Sequence, residues 1–193
     1  MVKKIVGTGV LLVLALALQA GVKMYTLKSP DGKVKLEVTA GQGIAYSLFY
    51  DGRLLLKPSR IALHTDLPEA DHWENIRITG TKQRHVSETV QAPFYRVKEF
   101  GIDCNELELR LNNGFSLLMR AYNDGMAYRF VAGRKGEMTV VEERAEFNFA
   151  DDFEAYIPYS TNPKDPWNMA FQNFYTKAPL TQYNTELPAF LPL

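Results

Sequence analysis

The chain has 193 residues in which 22 Lys and Arg balance 22 Asp and Glu, so no net field draws it to nucleic acid or to an anionic membrane surface, and neutral partners are favoured. Its single cysteine, Cys104, excludes an intrachain disulfide framework and any cysteine-based metal cluster. Beside a strand in Asp103-Cys-Asn-Glu106, that thiol reads as a small packing group rather than a reactive one.

Residues Met1 to Ala20 open with Lys3 and Lys4, continue through an apolar run from Val10 to Leu18, and offer small residues at Ala15, Ala17 and Ala20. This is the outline of a secretory signal peptide, with cleavage after Ala17 or after Ala20. The apolar run is too short to span a bilayer comfortably, and no cysteine follows it to carry a lipid anchor. The expected mature protein is periplasmic or secreted and has no membrane span. About 170 residues then remain, enough for one large domain with a real core.

From Val22 onward, short alternating runs are separated by Gly, Asn, Asp and Pro. Met24 to Leu27, the turn Ser29-Pro-Asp-Gly32, and Val34, Leu36 and Val38 on one face predict a first hairpin. Ile44 to Tyr50, Asp51-Gly52 and Arg53 to Leu56 predict a second, with Asp-Gly as a primed turn. The next segment gathers His64, Asp66, Glu69, Asp71, His72 and Glu74. Its carboxylates could hold a divalent ion, but a solvated acidic loop is the favoured reading. His64, His72 and His85 fit no zinc spacing.

Ile76 to Thr79 begins another run, and Leu107, Leu109 and Leu111 alternate with Glu106, Glu108 and Arg110 before Asn112-Asn-Gly114 turns the chain. Phe115 to Tyr122 and Met126 to Ala132 flank Asn123-Asp-Gly125, a strong hairpin signal. A two-residue Asp-Gly loop would set Arg120 opposite Arg129, and like charges across a strand pair repel. A three-residue Asn-Asp-Gly loop with Gly125 left-handed is therefore expected, setting Arg120 opposite Tyr128 and Met119 opposite Arg129. In that register Tyr122, Met126, Tyr128 and Phe130 share one face, while Met119, Ala121 and Val131 share the other. Met138 to Phe149 predicts a strand with a bend. Glu142-Glu143 and Asp151-Asp152 project to opposite faces if extended, so neither is an acid and base pair.

No segment carries a helical period. Ten or more short strands with turn signals between them predict an all-β, antiparallel sandwich, one of whose sheets is covered on both faces. Serine-nucleophile motifs, phosphate loops and dinucleotide fingerprints are absent from the sequence. Tyr156 to Trp167 contains three prolines and reads as an ordered surface loop. Tyr159, Trp167, Phe171, Phe174, Tyr175 and Tyr183 suit sugar stacking or packing against another domain, and packing is favoured. Leu187 to Leu193 resembles the start of a strand, so the chain is expected to be the front portion of a longer polypeptide.

The signal peptide, Ser29-Pro-Asp-Gly-Lys-Val34, the strand Asn105-Glu-Leu-Glu-Leu109, the stretch Arg120 to Phe130, and Phe171-Gln-Asn-Phe-Tyr-Thr-Lys-Ala-Pro-Leu180 together resemble the N-terminal domain of glycoside hydrolase family 97. The resemblance covers nearly all of the mature chain, and its most specific part is the hairpin around Asn123. It implies an antiparallel β super-sandwich of the galactose mutarotase-like kind over residues 21–193, with 156–193 leading towards a catalytic (β/α)8 barrel that this chain lacks. It further implies a parent α-glucosidase or α-galactosidase acting on oligo- or polysaccharide, with the catalytic carboxylates in that barrel and calcium as cofactor. In the family pattern a glutamate reaches the calcium from the segment matching Ala170 to Tyr175; here Gln172 takes its place, and its amide oxygen still suits calcium without the carboxylate's charge. The chain alone is then a non-catalytic domain that packs on its own barrel and shapes the carbohydrate cleft. An autonomous carbohydrate-binding module and a structural or adhesion module are the alternatives.

Overall fold

Alternation in the sequence becomes strand pairing in the computed structural model, which describes residues 23–94, 96–160, 162, 164–165 and 173–189. The expected signal peptide, Trp167, Phe171 and Gln172 lie outside the described residues. Eleven strands follow in chain order: β1 (Lys23–Lys28), β2 (Val34–Gly41), β3 (Gly43–Tyr50), β4 (Arg53–Thr65), β5 (Ile78–Gln91), β6 (Glu99–Leu111), β7 (Phe115–Tyr122), β8 (Gly125–Ala132), β9 (Val140–Ala145), β10 (Glu154–Ile157) and β11 (Thr176–Pro179). A 3-10 turn at Leu180–Gln182 is the one helical element among the described residues. Five strands form a sheet in the order β1-β2-β3-β4-β9, four form a second in the order β5-β6-β7-β8, and β10 pairs with β11. All pairings are antiparallel. The fold is the expected antiparallel β-sandwich.

Period-two patterning decides which residues meet between the sheets. Leu27, Val34, Leu36, Val38, Ile44 and Tyr46 from the first sheet face Leu107, Leu109, Leu111, Leu117 and Met119 from the second, all buried in one cluster. Each such side chain contributes about 1.5–3 kcal/mol by leaving water. The Tyr46 hydroxyl donates to the Glu146 carbonyl at 3.2 Å, and burial, with Tyr128 beside it, pushes its pKa up to about 12.

The first two hairpins form as expected. Ser29 Oγ accepts from Val34 N at 3.0 Å and donates to Asp31 Oδ1 at 2.6 Å, closing the Ser29–Lys33 turn. Asp51 and Gly52 have φ of 48° and 79°, the primed geometry that matches strand twist. A Cβ on Gly52 would meet no atom within 4 Å, so Gly52→Ala isolates the backbone cost of a left-handed residue. Urea unfolding should register a loss of about 1 kcal/mol for this variant.

The third hairpin departs from expectation. Tyr122 pairs with Gly125, Arg120 with Ala127, Met119 with Tyr128 and Leu118 with Arg129, so the loop is Asn123-Asp124. Gly125 is not left-handed. The shift by one residue exchanges faces along β8. Phe115, Leu117, Met119 and Ala121 join Met126, Tyr128 and Phe130 towards the core, and Tyr122 turns to the opposite face with Arg120. Asn123 is held by tertiary structure, its Oδ1 accepting from Asp31 N at 3.1 Å.

The segment between β4 and β5 also does more than expected. Leu67, Ala70, Trp73 and Ile76 recur every third residue, and the last three are buried. Trp73 plugs one end of the sandwich with its ring edge-on to Phe130 at 5.2 Å and tilted against Phe115 at 6.1 Å, while Nε1 donates to the Leu63 carbonyl at 3.1 Å. The strand expected over Met138 to Phe149 is regular only in β9. Beyond it, Glu146 N to Arg60 O, Lys57 N to Asn148 O and Ala150 N to Leu55 O continue the pairing with β4 irregularly.

Candidate functional site

Among the described residues, two polar surfaces and an aromatic one are placed where they could meet a ligand or partner. The first is the outer face of the β5–β8 sheet. Arg84 pairs with Glu106 across β5 and β6, and Glu106 with Arg120 across β6 and β7, so one row of the sheet reads Arg, Glu, Arg. Arg84 Nε reaches Glu106 Oε1 at 2.7 Å and Arg120 Nε reaches Oε2 at 2.8 Å. The glutamate side chain is 5% exposed. Burial pushes its carboxyl up, but the hydrogen bonds from Arg84 and Arg120 outweigh that and leave it below the usual carboxylate range. Hydrogen bonding to Tyr122, then to Glu106, raises the Arg120 pKa. Cys104, on the same face, is buried, and burial pushes its thiol up; this is the packing thiol the sequence indicates.

Beside this row, Leu118, Arg120, Tyr122, Ala127, Tyr128 and Arg129 line a notch of about 170 Å³. Arg129 has no acidic partner among the described residues. The arginines hold charge and shape in place, and the Glu106 carboxylate beside them is taken up by its two ion pairs.

The second surface is the acidic segment. A cleft of about 870 Å³ is bordered by His64, Asp71, His72, Glu74, Arg77 and Asn112. The candidate metal ligands do not converge there. Asp66 Oδ1 accepts from Thr139 N at 2.9 Å, Glu69 accepts from Arg134 at 2.7 Å, and Asp71 is 2.7 Å from His64 Nδ1. Hydrogen bonds from Thr139 hold the Asp66 carboxyl below its ordinary range. Among the described residues no three His, Cys, Asp or Glu are placed to share a cation. Glu143 receives the Tyr128 hydroxyl at 3.4 Å, Asp151 pairs with Arg53 and Asp152 binds Thr181, so these three carboxylates serve tertiary contacts.

The third surface is aromatic and belongs to the last part of the chain. Phe174 is 95% exposed, and Tyr156, Tyr175 and Tyr183 are each exposed. Tyr159 stacks obliquely on Tyr183 at 5.7 Å, and its hydroxyl accepts from Asn184 N at 2.8 Å. Of the rings singled out in the sequence, Phe174, Tyr175 and Tyr183 are exposed and Tyr159 is half-buried, while Trp167 and Phe171 lie outside the described residues; Tyr156 adds a ring that was not among them. Sequence reasoning missed the Arg84–Glu106–Arg120 row, whose signal is the cross-strand placement of an alternating Glu against two arginines and therefore requires the register.

Comparison with known proteins follows the same outline. The chain is 39% identical over 184 residues to a retaining alpha-galactosidase of Bacteroides thetaiotaomicron, a match covering 92% of this chain and 27% of that protein. It is 26% identical over 158 residues to a probable retaining alpha-galactosidase of Streptomyces bingchenggensis, covering 80% of this chain and 24% of that protein. Among solved structures, a glycoside hydrolase family 97 enzyme from Pseudoalteromonas sp. strain K8, in complex with panose, superposes with a TM-score of 0.65 at 19% identity over 82% of this chain and 25% of that one. A beta-arabinopyranosidase superposes with a TM-score of 0.66 at 22% identity over 79% of this chain and 26% of that one. The chain spans about a quarter of the length of each relative. No helix among the described residues is long and apolar enough to cross a membrane. The sequence profile for the glycosyl-hydrolase 97 N-terminal domain matches residues 27–193, and the chain belongs to that family.

Proposed function

We propose that this chain is the non-catalytic N-terminal domain of an exported glycoside hydrolase that cleaves α-galactosidic bonds, and that it packs on a catalytic barrel and forms one wall of its carbohydrate cleft. The observation that carries this reading is the pair of coverages in the 39% identical relative: nearly all of this chain, but about a quarter of that retaining alpha-galactosidase. Exposed aromatic rings at Tyr156, Phe174 and Tyr175 supply a surface suited to burial against such a partner. The basic, apolar and small-residue succession of Met1 to Ala20 supports export. Gln172 is proposed to direct its amide oxygen to a calcium ion whose other ligands come from the partner domain; a neutral oxygen donor suits calcium chemically.

The test compares two proteins: the 193-residue chain and the longer polypeptide carrying the catalytic portion. Hydrolysis of an aryl α-galactoside is expected from the longer protein, with no turnover above buffer from the chain alone. Turnover by the chain alone would overturn the reading, and so would a longer protein inert towards α-galactosides.

A further inference from the structure

The two flanks of the sandwich are finished differently. On the flank made by β1, β5 and β6, polar side chains bridge the sheets: Gln83 Nε2 donates to the Thr26 carbonyl at 3.4 Å and Asn105 Nδ2 to the Lys28 carbonyl at 2.9 Å. Leu27 behind them is fully buried. That side is sealed by groups that water can also solvate.

Among the described residues the flank made by β8 and β9 has no such seal. The one hydrogen bond joining these strands among the described residues runs from the Tyr128 hydroxyl to Glu143, at a long 3.4 Å. Val131, Val140 and Val141 are exposed, Val141 by 68%. Met126, Tyr128 and Phe130 point towards the core yet remain only half-buried, whereas Leu117 and Met119 on the neighbouring strand are fully buried. Among the described residues β8 ends its sheet and no strand pairs with its outer backbone edge, which runs for eight residues without a proline. A long, apolar, unpaired edge is a template for another strand, and folded proteins cover such edges.

We propose that an extended segment from the polypeptide beyond residue 193 pairs with the free edge of β8 and lays apolar side chains over Met126, Phe130 and Val141. The inference rests on the reading above that this chain is one domain of a longer enzyme. Length supports that occupant, because three quarters of each curated relative lies outside the matched region. Charge supports it over a second copy. Arg129 on β8 has no acidic partner among the described residues, and β8 itself contains no Asp or Glu with which a symmetry mate could supply one. The incoming segment is therefore apolar on its core face and carries a carboxylate opposite or diagonal to Arg129 on the other.

Amide hydrogen exchange on the longer polypeptide tests this within one molecule, by comparing the two edges of the same sheet. Amides of β8 that point away from β7 are expected to exchange at least a hundredfold more slowly than those of β5 that point away from β6. In the Arg129→Glu variant, β8 exchange is expected to accelerate at least tenfold with β5 unchanged. Equal exchange at both edges in a longer protein that retains glycosidase activity would overturn the inference and leave the proposed function standing. Protection of β8 only in a dimer of the 193-residue chain would assign the edge to a second copy and also overturn it. An inactive longer protein with β8 protected would sink the proposed function but not the strand addition.

Discussion

Replacing Glu106 by leucine is expected to destabilise the protein by about 2–4 kcal/mol in urea unfolding, because it leaves two arginines facing each other without the carboxylate between them. Deleting the acid costs more than the triad itself contributes. Glu106 is nearly buried, and both its oxygens are used by Arg84 and Arg120. Without it the Arg120 side chain, only 24% exposed, keeps its charge in a partly desolvated place. Arg84 is half exposed and can turn to water, which keeps the loss below that of a fully enclosed pair. Glu106→Gln retains one acceptor oxygen and should lose roughly half as much. The sign of the pH effect follows from the depressed carboxyl. Its stabilisation is present above the unfolded glutamate pKa and is lost as acid takes the pH down through the lower folded value. Wild-type stability should therefore fall more steeply with acid than that of Glu106→Gln, and parallel slopes would refute a structural ion triad.

Trp73→Ala should be about as damaging, with an expected loss of about 3–5 kcal/mol. The indole fills the end of the sandwich between Phe115 and Phe130 and ties the β4–β5 connection to Leu63 through Nε1. Removing it opens a void that rigid strands cannot collapse into, and it frees the Leu63 carbonyl of a partner. For a domain of this size such a loss should lower the thermal midpoint by roughly 10 °C or more. Trp73→Phe keeps most of the volume but not the donor. It should recover over half of the loss, and a variant as unstable as the alanine would show that the hydrogen bond rather than the packing dominates.

Much of the architecture was legible because its causes are local. The turns at Ser29–Lys33, Asp51-Gly52 and Asn112–Gly114 announce themselves, and the alternation of Val34, Leu36 and Val38 or of Leu107, Leu109 and Leu111 leaves one choice of inward face. The β7–β8 register was not legible. Avoiding Arg120 against Arg129 was sound reasoning, and the observed pairing of Arg120 with Ala127 avoids it too. Turn preference, worth less than a buried aromatic, yielded to placing Tyr128 and Phe130 on the face of Leu117 and Met119. Reading the acidic residues of 64–74 as a solvated loop described their carboxylates and overlooked Trp73, because six titratable groups masked an apolar residue at every third position. Glu106 looked like an outward-facing strand residue; only the register shows that two arginines flank it. Gln172 falls outside the described residues, so its proposed role stands on resemblance and on the chemistry of an amide oxygen.

The hydrogen bond from Asp31 N to Asn123 Oδ1 joins two turns that are 92 positions apart in the chain. The first belongs to the earliest hairpin and the second to the stretch that carries the strongest family signature. Neither bend is a spare corner of the molecule. A peptide tag or a longer connection spliced between Ser29 and Lys33 would pull on the tip of β7 and β8, so a harmless-looking site for an insertion is mechanically wired to the strand pair bearing Arg120 and Arg129.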